Sequence, residues 1–205
     1  LQRNSSSLKR KTQKLENQQL VNEISLLKTQ VNPHFLFNSL SILSSLVRID
    51  PDLSERFIDQ LSRSYRYILE QKDQSLVTLR TELGFIESYS FLLKIRFENK
   101  FSVEINLPDN ILDKYKIAPL TLQLLIENAV KHNRMSVHEP LSVYISVEED
   151  QMLVVKNKLQ PRSTPAMSTG VGLENIMDRY ALLTGRHVWA GEADDQFVVR
   201  IPLLS

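Results

Sequence analysis

The sequence contains no cysteine, only five glycines and no long apolar run, and each scarcity excludes a class of structure. Without cysteine, the chain can form neither a disulfide framework nor a thiolate-bound zinc or iron–sulfur site. No run of about 18 or more apolar residues occurs, so we expect no part of the printed sequence to cross a membrane. A net charge of +1 provides no general attraction for nucleic acid. With 42% hydrophobic residues, the chain has the composition of an ordinary globular protein.

The N-terminal segment is basic and precedes a short apolar repeat. Its cations have no acidic residue among them: Arg3, Lys9, Arg10, Lys11 and Lys14. Such a segment is typical of the cytoplasmic side of a membrane span, although a solvated tail has the same composition. The next apolar positions are spaced as in a parallel coiled coil: Leu20, Ile24, Leu27 and Val31. Because the chain begins with Leu1, we expect it to be part of a longer protein, with residues 1–31 forming a juxtamembrane segment and signalling helix.

A single histidine stands at the predicted start of the next helix, in Asn32-Pro33-His34-Phe35. Proline is favoured in the first turn of a helix. The apolar positions that follow have helical spacing, and a polar stripe lies on another face: His34, Asn38, Ser41 and Ser45. An exposed imidazole is largely uncharged near neutral pH and can act as a nucleophile. The alternative is that His34 is an ordinary polar residue of an amphipathic helix.

A second amphipathic helix is predicted after the turn at Asp50-Pro51-Asp52. Its apolar positions are Leu53, Phe57, Leu61, Tyr65 and Ile68. Two helices joined by a short turn form an antiparallel hairpin, and each carries an apolar stripe. One hairpin has too little core to be stable alone, so we expect residues 32–74 to form a four-helix bundle with a second copy in a homodimer.

Residues 75–205 show a mixed pattern of helices and strands. Helices are predicted near 81–97, 119–132 and 173–183, and strands near 101–105, 141–147, 152–155, 188 and 197–201. This order favours a two-layer α/β sandwich with a mostly antiparallel sheet. The predicted fold class of the whole chain is therefore α+β, with an N-terminal helix and helical hairpin followed by the sandwich.

Two stretches of this second region could carry phosphate chemistry. In the helix near residues 119–132, Asn128, Lys131 and His132 project from one side. An amide oxygen can bind Mg²⁺, and a lysine one turn away can contact phosphate. The glycines of Gly170-Val171-Gly172 precede another helix, where backbone amides can approach a di- or triphosphate. Taken separately, these stretches are equally compatible with a solvated helix face and a flexible loop.

Three stretches of the sequence together indicate a protein family more specifically than each does alone. They are Gln30-Val31-Asn32-Pro33-His34-Phe35-Leu36-Phe37-Asn38, then Ile117-Ala118-Pro119 through Glu127-Asn128-Ala129-Val130-Lys131-His132, and Gly170-Val171-Gly172-Leu173-Glu174-Asn175-Ile176 to Arg179. In this order they closely resemble the LytS/YehU-type sensor histidine kinases. The resemblance covers about residues 28–205. It implies a dimeric phosphoacceptor hairpin followed by an ATP-binding domain of the gyrase, Hsp90, kinase and MutL superfamily.

The resemblance also implies roles for individual residues. His34 would accept the phosphoryl group, and Asn38, one turn further on, is a candidate for orienting the ring. Asn128 would bind Mg²⁺, with Lys131 and His132 on the phosphate side of the same helix. The phosphate loop would be framed by Gly170 and Gly172, with Leu173 beside them. Asn175 and Arg179 match the helix after this loop, without an assigned contact.

The chain departs from the superfamily pattern at two positions. Phe35 follows the histidine, where many kinases carry an acidic base, so the proton of the imidazole would be lost to solvent or phosphate. Asn157 stands where the superfamily has an adenine-reading aspartate, and no glycines follow it. Asn157 can still accept a hydrogen bond from adenine but carries no charge. The loop that continues to Thr169 is short for a full ATP lid.

The leading interpretation is an ATP- and Mg²⁺-dependent protein-histidine kinase, the cytoplasmic portion of a bacterial inner-membrane sensor anchored upstream of residue 1. Its partner would be a response regulator, for which the LytTR DNA-binding class is one option, and we expect no direct binding of nucleic acid. A degenerate kinase that acts as a dimeric docking module with weak nucleotide binding is the alternative. A nucleotide hydrolase that uses Glu127 to activate water is less favoured, because it leaves His34 without a role.

Overall fold

A computed structural model describes residues 33–71, 73–163 and 171–205. The basic segment, the coiled-coil repeat, Asn32 and Gly170 lie outside the described residues. Among the residues that are described, no helix combines the length and the apolar character needed to span a membrane.

The predicted hairpin is present and consists of α1 (Pro33–Ile49) and α2 (Pro51–Glu70). The turn between them is defined by Asp50, whose side chain accepts a hydrogen bond from Leu53 N at 2.9 Å and so caps α2. Pro51 occupies the first turn of α2, where its missing N–H costs nothing.

The rest of the described chain forms a mixed five-stranded sheet together with helices and a separate strand pair. Its elements are β1 (Val77–Thr78), α3 (Leu79–Arg96), β2 (Phe101–Asn106), α4 (Asp109–Leu112), β3 (Lys116–Ile117), α5 (Thr121–His132), β4 (Leu141–Glu148), β5 (Met152–Lys158), α6 (Val171–Leu183), β6 (Trp189–Ala193) and β7 (Gln196–Pro202). The five-stranded sheet has the order β2-β4-β5-β7-β6. Its β2–β4 pairing is parallel and the other three pairings are antiparallel. The α+β class with a mostly antiparallel sheet is therefore confirmed.

Four short elements have no counterpart in the sequence-based prediction: β1, β3, α4 and a 3₁₀ turn at Glu149–Gln151 between β4 and β5. The strands β1 and β3 pair antiparallel with each other outside the main sheet, through Val77 with Ile117 and Thr78 with Lys116. Helix α4 is a single turn. Elements of two to four residues are too short to show a hydrophobic period, so the pattern cannot predict them.

Helix α3 packs against both the hairpin and the part of the chain that contains the sheet. Thr78 caps its first turn by accepting from Thr81 N at 3.2 Å. Because it is covered on several sides, its buried residues are not confined to one stripe: Leu79, Glu82, Leu83, Phe85, Ile86, Ser88, Tyr89, Leu92 and Leu93. The central position of α3 brings the hairpin and the predicted nucleotide helix α5 into contact with the same element.

The predicted apolar stripe of α1 is only partly covered within one protomer. Leu40 is 48% exposed and Val47 is 54% exposed, whereas Phe35 is 5% exposed. Helix α1 thus packs its Phe35 side against the core and leaves Leu40 and Val47 about half exposed.

Candidate functional site

His34 is exposed in the first turn of α1. The side-chain amide nitrogen of Asn38 lies 3.2 Å from His34 Nδ1 and 3.3 Å from Nε2. An amide N–H can donate to the ring nitrogen that carries no proton. Asn38 therefore contacts the imidazole of His34 across one helical turn, as the i,i+4 spacing predicts.

Phe35, the residue after the histidine, connects α1 to α5 through the side chains of Tyr89 and Glu127. The ring of Phe35 lies 5.3 Å from that of Tyr89 on α3, centroid to centroid. The Tyr89 hydroxyl donates to Glu127 Oε1 at 3.0 Å, and Gln123 Nε2 donates to the same oxygen at 2.9 Å. Burial and the Glu127 charge hold the pKa of Tyr89 well above its usual value, so its hydroxyl stays a donor. These contacts link the neighbour of His34 to the neighbour of Asn128.

The two phosphate-type motifs meet in the folded chain. A Cβ placed on Gly172 would lie 3.8 Å from Asn128 Oδ1, so the start of α6 faces the predicted Mg²⁺ ligand. Lys131 and His132 are exposed in the last turn of α5, and Leu173 is partly buried. The described residues contain no group of three or more His, Cys, Asp or Glu side chains that could hold a metal ion.

The first turn of α5 is held by a buried carboxylate that the sequence analysis does not identify. Leu120 has a left-handed φ of 65°, and no side chain of its own caps the helix. Instead, Leu120 N and Leu122 N each donate to Glu82 at 3.1 Å, and the Tyr67 hydroxyl of α2 donates to Glu82 Oε2. The available sequence signal is the presence of an acidic residue within an otherwise apolar stretch of α3.

Arg179 contacts two backbone carbonyl groups rather than a surface carboxylate. Its guanidinium donates to Pro119 O at 3.0 Å and to Gln74 O at 3.2 Å. The next residue, Tyr180, accepts a hydrogen bond on its hydroxyl from Ala118 N at 3.1 Å. Helix α6 is thereby attached to the segment that enters α5 and to the linker that follows α2.

Asn157, the candidate adenine-reading residue, lies next to the last residue of β5. It is 4% exposed, and its amide donates to Lys158 O at 2.8 Å. The chain that follows is attached to the C-terminal end of α5. Gln160 N donates to Asn133 Oδ1 at 2.7 Å.

Arg162 also attaches the segment after β5 to the C-terminal end of α5. Arg162 donates from Nε to Asn133 O at 3.1 Å and from a terminal nitrogen to Val130 O at 3.0 Å. The carbonyl groups at a helix C-terminus lack intrahelical partners and attract positive charge. The segment that replaces the glycine-containing motif is therefore fixed in place by Arg162 and Gln160.

Comparison with known proteins gives a consistent family. A family model described as "Histidine kinase" matches residues 22–101. The chain is 36% identical over 132 residues to sensor protein LytS of Bacillus subtilis, covering 64% of this chain and 22% of that protein. It is 33% identical over 178 residues to LytS of Staphylococcus haemolyticus, covering 80% of this chain and 30% of that protein. The chain thus spans less than a third of the length of these relatives.

A solved structure, the Acinetobacter baumannii histidine kinase AdeS, aligns over 82% of this chain and 97% of its own, at 13% identity and a TM-score of 0.41. This similarity is too low for us to base an argument on it. The sequence relatives carry the assignment, because they match this chain over 64% and 80% of its length. By these matches, the chain belongs to the LytS-type sensor histidine kinases.

Proposed function

We propose that this chain is the cytoplasmic kinase portion of a bacterial inner-membrane sensor, which transfers the γ-phosphoryl group of ATP to His34 and then to an aspartate of a response regulator. The observation that carries the proposal is the position of Gly172 against Asn128, where an added Cβ would lie 3.8 Å from Oδ1. This position supports a shared site for the start of α6 and the amide of Asn128. The exposed His34 belongs to the hairpin, and both the hairpin and α5 pack against α3.

On the donor side, each group has a distinct task. The backbone at the start of α6 can approach phosphate because Gly172 has no side chain. Lys131 and His132 are exposed at the end of α5 and can contact phosphate oxygens. Asn128 Oδ1 suits Mg²⁺, which when bound neutralises phosphate charge. Asn157 would accept a hydrogen bond from the adenine amino group.

On the acceptor side, an unprotonated nitrogen of His34 attacks the γ-phosphorus. A P–N bond forms, the bond from the γ-phosphorus to the β,γ-bridging oxygen breaks, and ADP leaves. The ring proton passes to solvent or phosphate, because Phe35 provides no base. Asn38 keeps the imidazole oriented during the attack. In the transfer to the regulator, the imidazole is the leaving group instead of the nucleophile. The P–N bond breaks as a carboxylate oxygen bonds to phosphorus.

The proposed assembly is a homodimer formed by the hairpins. Its support is the set of exposed apolar side chains on the two helices: Phe37, Leu40, Val47, Ile49, Ile58 and Leu69. Exposed apolar side chains concentrated on one element are typical of an interface. Pairing of two such hairpins would remove them from water in a four-helix bundle.

The test is incubation of the chain with γ-labelled ATP and Mg²⁺, followed by measurement of acid-labile label on protein. We expect label on the wild type, none on His34→Gln, and a loss of at least about a hundredfold in Asn128→Ala, since a first-contact ligand is removed. His187→Gln serves as the matched control, because His187 is also exposed. Label that persists in His34→Gln would contradict the acceptor assignment.

Mixing the two inactive variants then reports on the dimer. If His34→Gln supplies its intact donor site to the histidine of Asn128→Ala, label will appear only on the second variant, and transfer occurs between protomers. If the mixture of the two variants stays unlabelled while the wild type is labelled, transfer occurs within a protomer. Both outcomes require the wild type to take label.

A degenerate docking module is the second candidate, favoured by one observation. The Asn157 amide donates to Lys158 O, and the following residues are attached to α5 where glycines would give a more open loop. This candidate predicts weak binding of ATP and no label on His34, together with intact dimerisation. Isothermal titration with ATP and Mg²⁺ beside the labelling assay separates the two functions.

A further inference from the structure

Glu82 is the one acidic or basic side chain that is buried within the described ranges, with 0% exposure. Burying a carboxylate is unfavourable unless hydrogen bonds replace its water. Here Leu120 N and Leu122 N donate to its two oxygens, and the Tyr67 hydroxyl donates to Oε2. The residue therefore joins three elements: α2 through Tyr67, its own helix α3, and the first turn of α5.

This carboxylate performs the task of a helix cap for α5. The first backbone N–H groups of a helix have no intrahelical acceptor, and negative charge is favourable at that end. Leu120 precedes the helix with a left-handed φ of 65° and makes no side-chain cap. Two of the unpaired N–H groups are satisfied only by Glu82, so the start of α5 depends on where the Glu82 carboxylate lies.

Arg179 approaches the same place from α6. It donates to Pro119 O just before α5 and to Gln74 O in the linker after α2. Its charge also lies close enough to attract the Glu82 carboxylate. The helix that begins at the glycine loop is therefore attached both to the entry of α5 and to the exit of the hairpin.

We propose that Tyr67, Glu82 and Arg179, which we call the clasp, are positioning residues through which the hairpin sets the placement of α5 and α6 around the nucleotide. This inference rests on the proposed function, because it concerns the site where ATP would bind. The clasp residues do not contact the reacting atoms. They act through Asn128 on α5 and through the glycine loop at the start of α6.

The physical basis is the cost of separating these partners. If α2 rotates and withdraws the Tyr67 hydroxyl, the buried carboxylate loses a donor, and the remaining contacts must rearrange. The linker carbonyl of Gln74 moves with α2 and displaces Arg179 in the same motion. A signal that reaches the hairpin from its N-terminal end would in this way alter the donor site without touching nucleotide.

The test compares Tyr67→Phe with a matched control two residues away, Tyr65→Phe. The Tyr65 hydroxyl is buried and makes no hydrogen bond to any described residue. Both changes remove one oxygen from a tyrosine of the same helix, but only the first removes a donor to Glu82. We expect Tyr67→Phe and Arg179→Ala to weaken binding of Mg-ATP about fivefold or more, the lower range of coupling between sites. Tyr65→Phe should leave the affinity within about twofold.

Hydrogen exchange supplies a readout that a merely structural role would not change. Coupling is reciprocal, so Mg-ATP should slow amide exchange at residues 64–71 and 73–76 in the wild type. That ATP-dependent protection should disappear in Arg179→Ala and be partly restored in Arg179→Lys, which keeps the charge but cannot contact both carbonyl groups in the same fork geometry. Thermal unfolding of each variant shows whether it is folded.

The possible results separate this proposal from the proposed function. If the wild type binds ATP and takes label while Tyr67→Phe and Arg179→Ala behave like it in affinity, labelling and exchange, the clasp is overturned and the kinase function stands. If the wild type takes no label, the kinase function fails. The clasp is then judged by exchange without nucleotide, and unchanged exchange at Leu120 and Leu122 in Tyr67→Phe would overturn it as well.

Discussion

The ring of Phe35 packs on the ring of Tyr89, with centroids 5.3 Å apart. Phe35 adjoins the candidate phosphoacceptor His34, and the Tyr89 hydroxyl donates to Glu127, which adjoins Asn128. The motif around His34 and the motif around Asn128 are thus connected through Tyr89, although nearly a hundred residues of chain separate them. In this conformation, Phe35 makes the start of α1 part of the protomer core.

Replacement of Phe35 tests this packing. Phe35→Ala should lower the free energy of unfolding by about 3 kcal/mol, because a buried ring is removed and a cavity remains. Phe35→Leu fills more of the space and should cost about 1 kcal/mol. Urea unfolding followed by circular dichroism measures both. Leu182→Ala is the control, because that side chain is 89% exposed and its loss should cost less than about 0.5 kcal/mol. An equally small effect of Phe35→Ala would show that the start of α1 does not pack on α3.

Replacement of Gly172 tests the donor site. Gly172→Ala should fold normally and keep most nucleotide binding, because its Cβ would lie at an ordinary contact distance of 3.8 Å from Asn128 Oδ1. Gly172→Val adds methyl groups that reach the amide and the space beside it, so we expect affinity for Mg-ATP to fall at least about tenfold. Calorimetric titration measures the affinities. Equal affinity of the valine variant and the wild type would place the nucleotide elsewhere.

The buried Glu82 carboxylate should give the protein a distinctive pH dependence. Burial raises the pKa of Glu82 from its usual 4.5 to about 7, and donors from Tyr67, Leu120 and Leu122 together with the charge of Arg179 oppose that rise. Tyr67, with its own pKa raised by burial and by Glu82, stays a neutral donor. Between about pH 4.5 and about pH 7, the folded state holds a proton on Glu82 that the unfolded state has released. The contribution of Glu82 to stability therefore falls as the pH rises through this window, and it is constant above it.

Glu82→Gln isolates this contribution, because glutamine has nearly the same size and does not titrate. From about pH 5 to about pH 8, the free energy of unfolding of the variant should rise relative to wild type by about 2 to 3 kcal/mol. Parallel urea titrations across this range provide the measurement. A difference between the two proteins that does not change with pH would show that Glu82 keeps an ordinary pKa in the folded state.

Charges placed on the exposed apolar stripe of α1 test the homodimer. Leu40→Glu combined with Val47→Glu should convert a dimer into a monomer at micromolar concentration, because both side chains are about half exposed in the protomer and would be buried in a bundle. Sedimentation equilibrium reports the mass. Leu182→Glu, on α6, should leave the mass unchanged. A wild type that is already monomeric at these concentrations would contradict the proposed assembly.

Local patterns in the sequence account for much of the fold. The spacing of apolar residues predicts α1, α2, α3, α5 and α6 within a few residues, since helical periodicity depends on near neighbours. The same holds for the main strands, although β1, β3 and α4 are too short to carry a pattern. The motifs around His34, Asn128 and Gly172 can be found without coordinates because each is contiguous in sequence.

The tertiary structure alone decided how these motifs are connected. No local pattern pairs Glu82 with the amides of Leu120 and Leu122, or Arg179 with Gln74 O, because these partners lie between 38 and 105 residues apart. A buried carboxylate is stable only where donors from other elements converge on it, and that convergence exists only after the hairpin, α5 and α6 have packed around α3. The sequence by itself determined which residues are candidates for phosphate chemistry. Packing decided which distant residues contact the helices that carry them.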